Sequence, residues 1–122
     1  IMNMEARMRE DGKVDYVEMP GGDLPATKAF YASAFGWAFT DYGPDYAAYS
    51  EGLDGGFQAG LEDEGAVPKP LVILYAHDLE AMEARVKAAG GAIVKPIFSF
   101  PGGRRFHFTD PAGNELAVWS EG

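Results

Sequence analysis

The sequence predicts an α+β fold built from two tandem βαβββ modules. The order strand, helix, three strands occurs twice along the 122 residues. The Asp23 that caps the first predicted helix returns as Asp78 before the second. The Gly36 that ends the first helix returns, at the same offset, as Gly91. A repeat of this kind indicates that one supersecondary unit is used twice.

The first module opens with a strand over residues 13–19, where polar and apolar side chains alternate. Pro20-Gly21-Gly22 ends the strand, and Asp23 is a good N-cap for a helix with an apolar stripe. Three shorter strands are predicted over residues 37–42, 46–50 and 57–61. The turns between them are predicted at residues 43–45 and 53–56, which are rich in Gly, Pro and Asp.

The second module repeats this order after an acidic segment over residues 63–69 that lacks periodicity and is interpreted as a linker. A strand over residues 71–76 precedes the helix that Asp78 caps, and Gly90-Gly91 ends that helix. A strand over residues 92–100 contains Pro96, which favours a bend or an edge position. The module closes with a hairpin whose turn is Asp110-Pro111-Ala112-Gly113-Asn114.

We therefore expect an N-terminal tail over residues 1–12 and a single domain over residues 13–122. Module one covers about 13–62 and module two covers 70–122. Composition is 47% apolar and 24% charged, as in ordinary globular proteins. The sequence lacks cysteine, a secretion signal and the run of ~18 apolar residues that spans a membrane, so we expect a cytoplasmic protein.

The net charge of −9 bears on the choice of partner. No Lys or Arg occurs between Ala29 and Pro68, whereas seven carboxylates fall in that stretch. Such a surface repels phosphate backbones, so nucleic acid is not expected as a partner. A membrane is not expected either, because no apolar run is long enough to span one. It tolerates or attracts cations.

The motifs together resemble those of the vicinal oxygen chelate superfamily, which includes glyoxalase I, extradiol dioxygenases and the bleomycin-resistance proteins. The motifs that carry the resemblance are Phe30-Tyr31, Phe35-Gly36-Trp37, Asp78-Leu79, Gly90-Gly91 and the run from Phe108 to Asn114. The resemblance implies two modules that form a curved mixed sheet, with helices outside and a concave cleft that binds a small molecule. It also implies a homodimer, since short two-module chains of this family commonly pair.

The metal-using members of that family hold a divalent ion with His or Glu at fixed positions in the first and last strands of the modules. Those positions correspond here to Tyr16, Leu71 and Ala117, and the fourth corresponds to Gln58 or Gly60. Leu and Ala offer no donor atom, and such an ion needs oxygen or nitrogen donors in a fixed geometry. We therefore predict no metal and no other cofactor.

Strand alternation defines the side chains that line the predicted cleft. The face shared with the former metal positions mixes aromatic, aliphatic and acidic residues, whereas the opposite face is aliphatic and suits packing under a helix. The predicted ligand-binding residues are Tyr16, Glu18, Ile73, Tyr75, Glu115 and Trp119. Aromatic faces beside carboxylates suit a ligand with a flat or cationic part. The face on which His107 lies is not fixed by the pattern.

Three functions stay open at this point. The first is a metal-free protein that binds a small organic molecule in the sheet cleft. The second is a lactoylglutathione lyase-like or dioxygenase-like enzyme that holds a divalent metal through non-standard ligands. The third is a structural or partner-binding module whose cleft is filled by its own side chains. Catalytic residues and the identity of the ligand are not predicted.

Overall fold

A computed structural model of the chain describes residues 9–60 and 69–122. Their contacts divide them into two compact units. Unit 1 contains residues 16–60 and 69–70, and unit 2 contains residues 9–15 and 71–122. Each unit contains one helix and a set of hydrogen-bonded strands, and the two units are described in turn.

Unit 1 follows the predicted order of one strand, one helix and three strands. The elements are β1 (Val14–Pro20, of which residues 16–20 belong to this unit), α1 (Leu24–Phe35), β2 (Thr40–Asp41), β3 (Tyr46–Glu51) and β4 (Leu53–Gln58). In the sheet the strand order is β2-β3-β4-β1, with β1 parallel to β4 and the other pairs antiparallel. The N-cap prediction is confirmed, because Asp23 Oδ1 accepts a hydrogen bond from the Ala26 N–H at 3.2 Å. Gly36 ends α1 in the left-handed region, at φ 75°.

The core of unit 1 lies between α1 and one face of the sheet. Its buried residues are Leu24, Ala47, Tyr49 and Phe57, against which Met19, Tyr31, Trp37 and Phe39 pack. Ala47 and Tyr49 alternate along β3, so Tyr46 and Ala48 lie on the opposite face of that strand. We call the face of each sheet turned away from the helix of its own unit the helix-free face.

Unit 2 repeats the arrangement. The elements are β5 (Leu71–Tyr75), α2 (Leu79–Ala88), β6 (Ala92–Phe100), β7 (Gly103–Thr109) and β8 (Glu115–Ser120). In the sheet the strand order is β5-β8-β7-β6, with β5 parallel to β8 and the others antiparallel. Within each unit the first strand therefore pairs with the last. The predicted α+β class and the tandem βαβββ modules are confirmed.

The core of unit 2 lies beneath α2. Its buried residues are Ala76, Leu79, Phe106 and Val118, joined by Leu74, Met82, Val86, Ile93, Ile97 and Phe108. Alternation along the strands then places Ile73, Tyr75, Arg105, His107, Ala117 and Trp119 on the helix-free face. The aliphatic set predicted to lie under the helix is confirmed for Leu74 and Val118.

The hairpin turn between β7 and β8 forms as predicted. Asp110 Oδ1 accepts hydrogen bonds at 2.9 Å from the N–H groups of Ala112 and Asn114. Gly113 adopts φ 90°, a conformation that favours glycine. The hydrogen bonds from Asn114 hold the pKa of Asp110 below its usual value.

Three predictions about unit 1 are wrong. The segment over residues 53–56 was predicted as a turn, but β4 begins at Leu53 and the turn lies at Gly52, at φ 116°. The strand predicted over residues 57–61 is therefore shifted toward the N-terminus, since β4 ends at Gln58. The second strand is shorter than the predicted 37–42, because the side chains of Trp37 and Phe39 pack into the core instead of extending a ladder. The predicted linker over residues 63–69 lies, apart from Lys69, outside the described residues. Neither α1 nor α2 has the length and apolarity to span a lipid bilayer.

Candidate functional site

A hydrogen-bonded cluster of two tyrosines and a carboxylate occupies the helix-free face of unit 1. The hydroxyl oxygens of Tyr16 and Tyr46 lie 2.6 Å apart, and Tyr46 Oη donates to Glu18 Oε2 at 3.1 Å. An ionised carboxylate only accepts, so the Tyr46 hydroxyl donates its hydrogen bond to Glu18 and accepts one from the Tyr16 hydroxyl. Burial raises the pKa of Tyr16 and, more strongly, that of Tyr46. Both phenols are therefore neutral hydrogen-bonding groups at physiological pH.

Two glycines on β4 make room for the rings beside this cluster. A Cβ atom at Gly56 would collide with the Tyr46 ring, and one at Gly55 would collide with the Tyr49 ring. The two tyrosines cross β4 on its opposite faces and reach β1, where Tyr49 Oη donates to the Val17 carbonyl at 2.9 Å. Strand alternation did not indicate Tyr46 as a site residue, and both glycines were predicted to lie in a turn. A Gly-Gly pair that precedes apolar strand residues is the signal that could have found this close approach.

An open groove of about 410 Å³ lies next to the cluster in unit 1. Four aromatic rings and two carboxylates contribute to its wall, namely Tyr16, Phe39, Tyr42, Tyr49, Glu51 and Asp54. Glu51 Oε2 accepts a hydrogen bond from the Ala38 N–H at 3.0 Å, which fixes that carboxylate at the wall. Asp54 Oδ1 accepts from Ser50 Oγ at 2.7 Å. No Lys or Arg belongs to the groove lining among the described residues, so its potential is negative.

The predicted site residues of unit 2 use their polar atoms within the unit. Tyr75 is 3% exposed, and its hydroxyl donates to Glu121 Oε1 at 2.5 Å. That hydrogen bond and burial raise the pKa of Tyr75 to about 12. Trp119 Nε1 donates to Asp15 Oδ2 at 2.9 Å, and its ring lies 5.4 Å from that of Tyr75. Ile73 is also 3% exposed, so Ile73 and Tyr75 are both buried on this face of the sheet.

The last predicted residue, Glu115, pairs with a histidine. Its carboxylate oxygen Oε2 lies 2.9 Å from His107 Nδ1. The side chain of Glu115 is 41% exposed, whereas that of His107 is 4% exposed. The other histidine of the chain, His77, forms an exposed counterpart in which Nδ1 lies 2.7 Å from Asp11 Oδ1.

The positions that correspond to metal ligands in the family do not fit a divalent ion. Leu71 and Ala117 have no donor atom, and the Tyr16 hydroxyl is bonded to Tyr46. Gln58 turns its amide nitrogen to the Ala59 carbonyl at 3.1 Å. Over residues 9–60 and 69–122, no three His, Asp or Glu side chains come together in a group able to hold a metal. Such an ion requires several oxygen or nitrogen donors at one point.

The fold and motifs identify the family. Residues 13–118 match the model of the Glyoxalase/Bleomycin resistance protein/Dioxygenase superfamily. The chain belongs to this superfamily, as the resemblance predicted.

Two curated relatives have names that bear on function. The chain is 28% identical over 120 residues to "Putative glyoxylase CFP32" of Mycobacterium tuberculosis. The match covers 88% of this chain and 45% of that protein. It is 29% identical over 133 residues to the anthracycline biosynthesis protein DnrV of Streptomyces peucetius. That match covers 91% of this chain and 48% of DnrV. The chain thus spans about half the length of these relatives.

Among solved structures, methylmalonyl-CoA epimerase from Mycobacterium tuberculosis is similar with a TM-score of 0.73. The match covers 95% of this chain and 92% of the epimerase, at 16% sequence identity. At that identity the likeness shows the fold alone, since one fold hosts many reactions.

Proposed function

We propose that this protein binds a small organic molecule and does so without a divalent metal at the positions its family uses. The observation that carries the proposal is the chemistry of those positions, where Leu71 and Ala117 offer no donor. Of these three positions, only Tyr16 carries an oxygen that could bind a metal ion, and its hydroxyl is hydrogen-bonded to Tyr46. Binding then depends on ring faces, carboxylates and hydrogen-bonding groups of the sheets.

The groove of unit 1 favours a ligand that is flat and positively charged. Its rings provide apolar faces, and a cation over an aromatic ring gains roughly 0.5–2 kcal/mol, depending on how far it is desolvated. Glu51 and Asp54 supply negative charge at the same wall. Mostly apolar walls with a few fixed polar groups are typical of small-molecule sites.

The name of one relative supports a flat ligand. DnrV is named for anthracycline biosynthesis, and anthracyclines contain a planar ring system. We carry only the shape of that compound class over to this chain, because the chain covers 48% of DnrV. The homodimer and the cytoplasmic location stay predictions.

The first test is metal content together with ligand binding. Protein purified without chelators is expected to contain no stoichiometric Ni, Zn, Fe or Mn. Proflavine, a planar cation, is expected to bind and to raise the unfolding temperature by mass action. A planar anion of similar size, pyrene sulfonate, is expected to bind far more weakly.

A double variant in the groove and a single-carboxylate control outside it locate the site. The double variant Glu51→Gln/Asp54→Asn is expected to weaken proflavine binding about tenfold, or ~1.4 kcal/mol. The control Asp45→Asn removes an exposed carboxylate outside the groove and is expected to leave the affinity unchanged. Stoichiometric metal would instead support an enzyme with non-standard ligands. Failure of every planar compound to bind would favour a module filled by its own side chains.

A further inference from the structure

The imidazole of His107 has a nitrogen atom that the fold does not use. Its side chain is 4% exposed, and Nδ1 is engaged with Glu115 at 2.9 Å. Nε2 is buried and has no hydrogen-bond partner among the described residues. Buried polar atoms without a partner are uncommon in proteins, and each calls for a physical explanation such as a bound group or a catalytic role.

The pairing with Glu115 determines what Nε2 can do. A carboxylate only accepts, so the imidazole proton lies on Nδ1 and Nε2 carries a lone pair. Burial lowers the pKa of His107, and the positive charges of Arg105 on β7 and Lys95 on β6 lower it further against the opposing effect of Glu115 on β8. The ring is therefore neutral at pH 7, and Nε2 is a hydrogen-bond acceptor.

The groups around the His107 ring limit the kind of ligand from which Nε2 can accept a hydrogen bond. The Phe98 ring lies 5.7 Å from the His107 ring, and the Arg105 guanidinium carbon lies 5.5 Å from the centre of Phe98 and 5.6 Å from that of Phe100. The Phe100 ring in turn lies 6.3 Å from that of Trp119. An acceptor, a cation and several aromatic rings thus occur together on the helix-free face of unit 2.

We propose that this face binds a planar phenol or enol, whose acidic hydroxyl donates to His107 Nε2 and whose oxygen lies near Arg105. The choice of ligand follows from elimination among simple groups. A protonated amine would be repelled by the guanidinium, and an ionised carboxylate has no proton to donate. An acidic hydroxyl meets both demands, because it offers a proton and its oxygen carries partial negative charge. The aromatic rings provide the contact for the rest of the molecule.

This inference rests on the proposed small-molecule binding but not on the groove of unit 1. Because Nε2 is buried, binding includes the displacement of a side chain on this face. A hydroxyl that docks among these rings leaves water, so its hydrogen bond to Nε2 is needed to offset its own desolvation.

The test uses para-nitrophenol, with para-nitroanisole as the ligand that lacks the proton. Wild-type protein is expected to bind the phenol at least tenfold more tightly than the ether. Glu115→Gln changes an exposed residue and lets the new amide donate to Nδ1, which moves the ring proton to Nε2. This variant and His107→Gln are expected to lose at least tenfold in affinity for the phenol. The matched control His77→Gln, which alters the exposed histidine–carboxylate pair, is expected to bind like wild type.

Nitrogen-15 NMR of His107 gives a second readout that does not depend on any ligand. Protonation of Nδ1 in wild type and of Nε2 in Glu115→Gln is expected. Equal binding of phenol and ether, or a wild-type ring with its proton on Nε2, would overturn the inference. If His107→Gln fails to fold, Glu115→Gln decides the matter. Proflavine binding without para-nitrophenol binding would reject this inference and leave the proposed function standing, whereas the absence of both would reject both.

Discussion

At the scale of single residues, the buried His107 is expected to make the stability of the folded chain depend on pH. Burial lowers its pKa in the folded chain, whereas the unfolded chain has the ordinary value of about 6.5. Between these two values the unfolded chain binds more protons, so the stability that the neutral ring contributes is present above about pH 6.5. That contribution is lost as the pH falls through the folded-state pKa.

The measurement is urea unfolding of wild type and two variants across this pH range. The free energy of unfolding is expected to fall on acidification with an extra slope of up to ~1.4 kcal/mol per pH unit in wild type. His107→Gln is expected to lack this extra slope, and His77→Gln to keep it. Carboxylates titrate in all three proteins, so the comparison between variants isolates the imidazole. Parallel curves for wild type and His107→Gln would contradict the assignment.

From the sequence, strand alternation predicts the face on which a site residue lies, but not its partners on other strands. Alternation placed Tyr16 and Glu18 on one face, and the structure brings both against Tyr46. It did not supply Tyr46 itself, because that residue joins the cluster only through the pairing of β3 with β4 and of β4 with β1. The partner of His107 was likewise hidden, since the register of β7 and β8 places Glu115 opposite Thr109 and therefore diagonal to His107. Their roles in binding stay predictions.

At the scale of elements, β4 depends on the absence of side chains at two positions. Gly56→Ala would place a methyl group where the Tyr46 ring lies, and overpacking of this kind costs typically ~1–3 kcal/mol. The same substitution in a Tyr46→Ala background meets no ring, and alanine is better than glycine within a strand. We therefore expect Gly56→Ala to destabilise the wild type and to be neutral or stabilising in that background.

A double-mutant cycle by urea unfolding measures the difference directly. The expected coupling energy between Gly56→Ala and Tyr46→Ala is at least ~1 kcal/mol, in the direction of mutual compensation. Additive effects would show that Tyr46 does not depend on Gly56. A spectroscopic check of native content in each variant distinguishes local repacking from loss of the fold.

Elements were predicted well where local chemistry decides them. The caps at Asp23, Asp78 and Gly36 follow from side-chain and backbone preferences over a few neighbours, and the structure confirms them. The start of β4 was not predictable in this way, because a Gly-Gly pair alone favours a turn. Only the rings that pack over Gly55 and Gly56 make that pair part of a strand. Tertiary packing there overrides the local preference.

At the scale of the whole molecule, the duplication was visible in the sequence because helix signals recur at one offset. Both units have the same strand order, which is the structural form of that repeat. The chemistry of the two helix-free faces is different, however. Unit 1 presents tyrosines with Glu18, whereas unit 2 presents His107 near Arg105. Divergence of this kind follows from individual side chains and leaves no trace in the repeat pattern.

The two faces should therefore respond differently to salt. The chain has a net charge of −9, and the groove of unit 1 carries Glu51 and Asp54 in an open wall, where ions screen charge over about 8–10 Å at 0.1–0.15 M salt. Proflavine affinity is expected to fall several-fold between about 0.02 M and 0.5 M sodium chloride, as the Debye length shrinks. Affinity for neutral para-nitrophenol, measured below its own pKa, is expected to change less than twofold, because its hydrogen bond to His107 forms in a buried, poorly screened place. Titrations of both probes in one salt series test this, with the Asp45→Asn variant as a control for the general negative field. If the groove variant Glu51→Gln/Asp54→Asn kept the full salt dependence of proflavine binding, the net charge of the whole chain, and not the groove, would govern the binding of the cation.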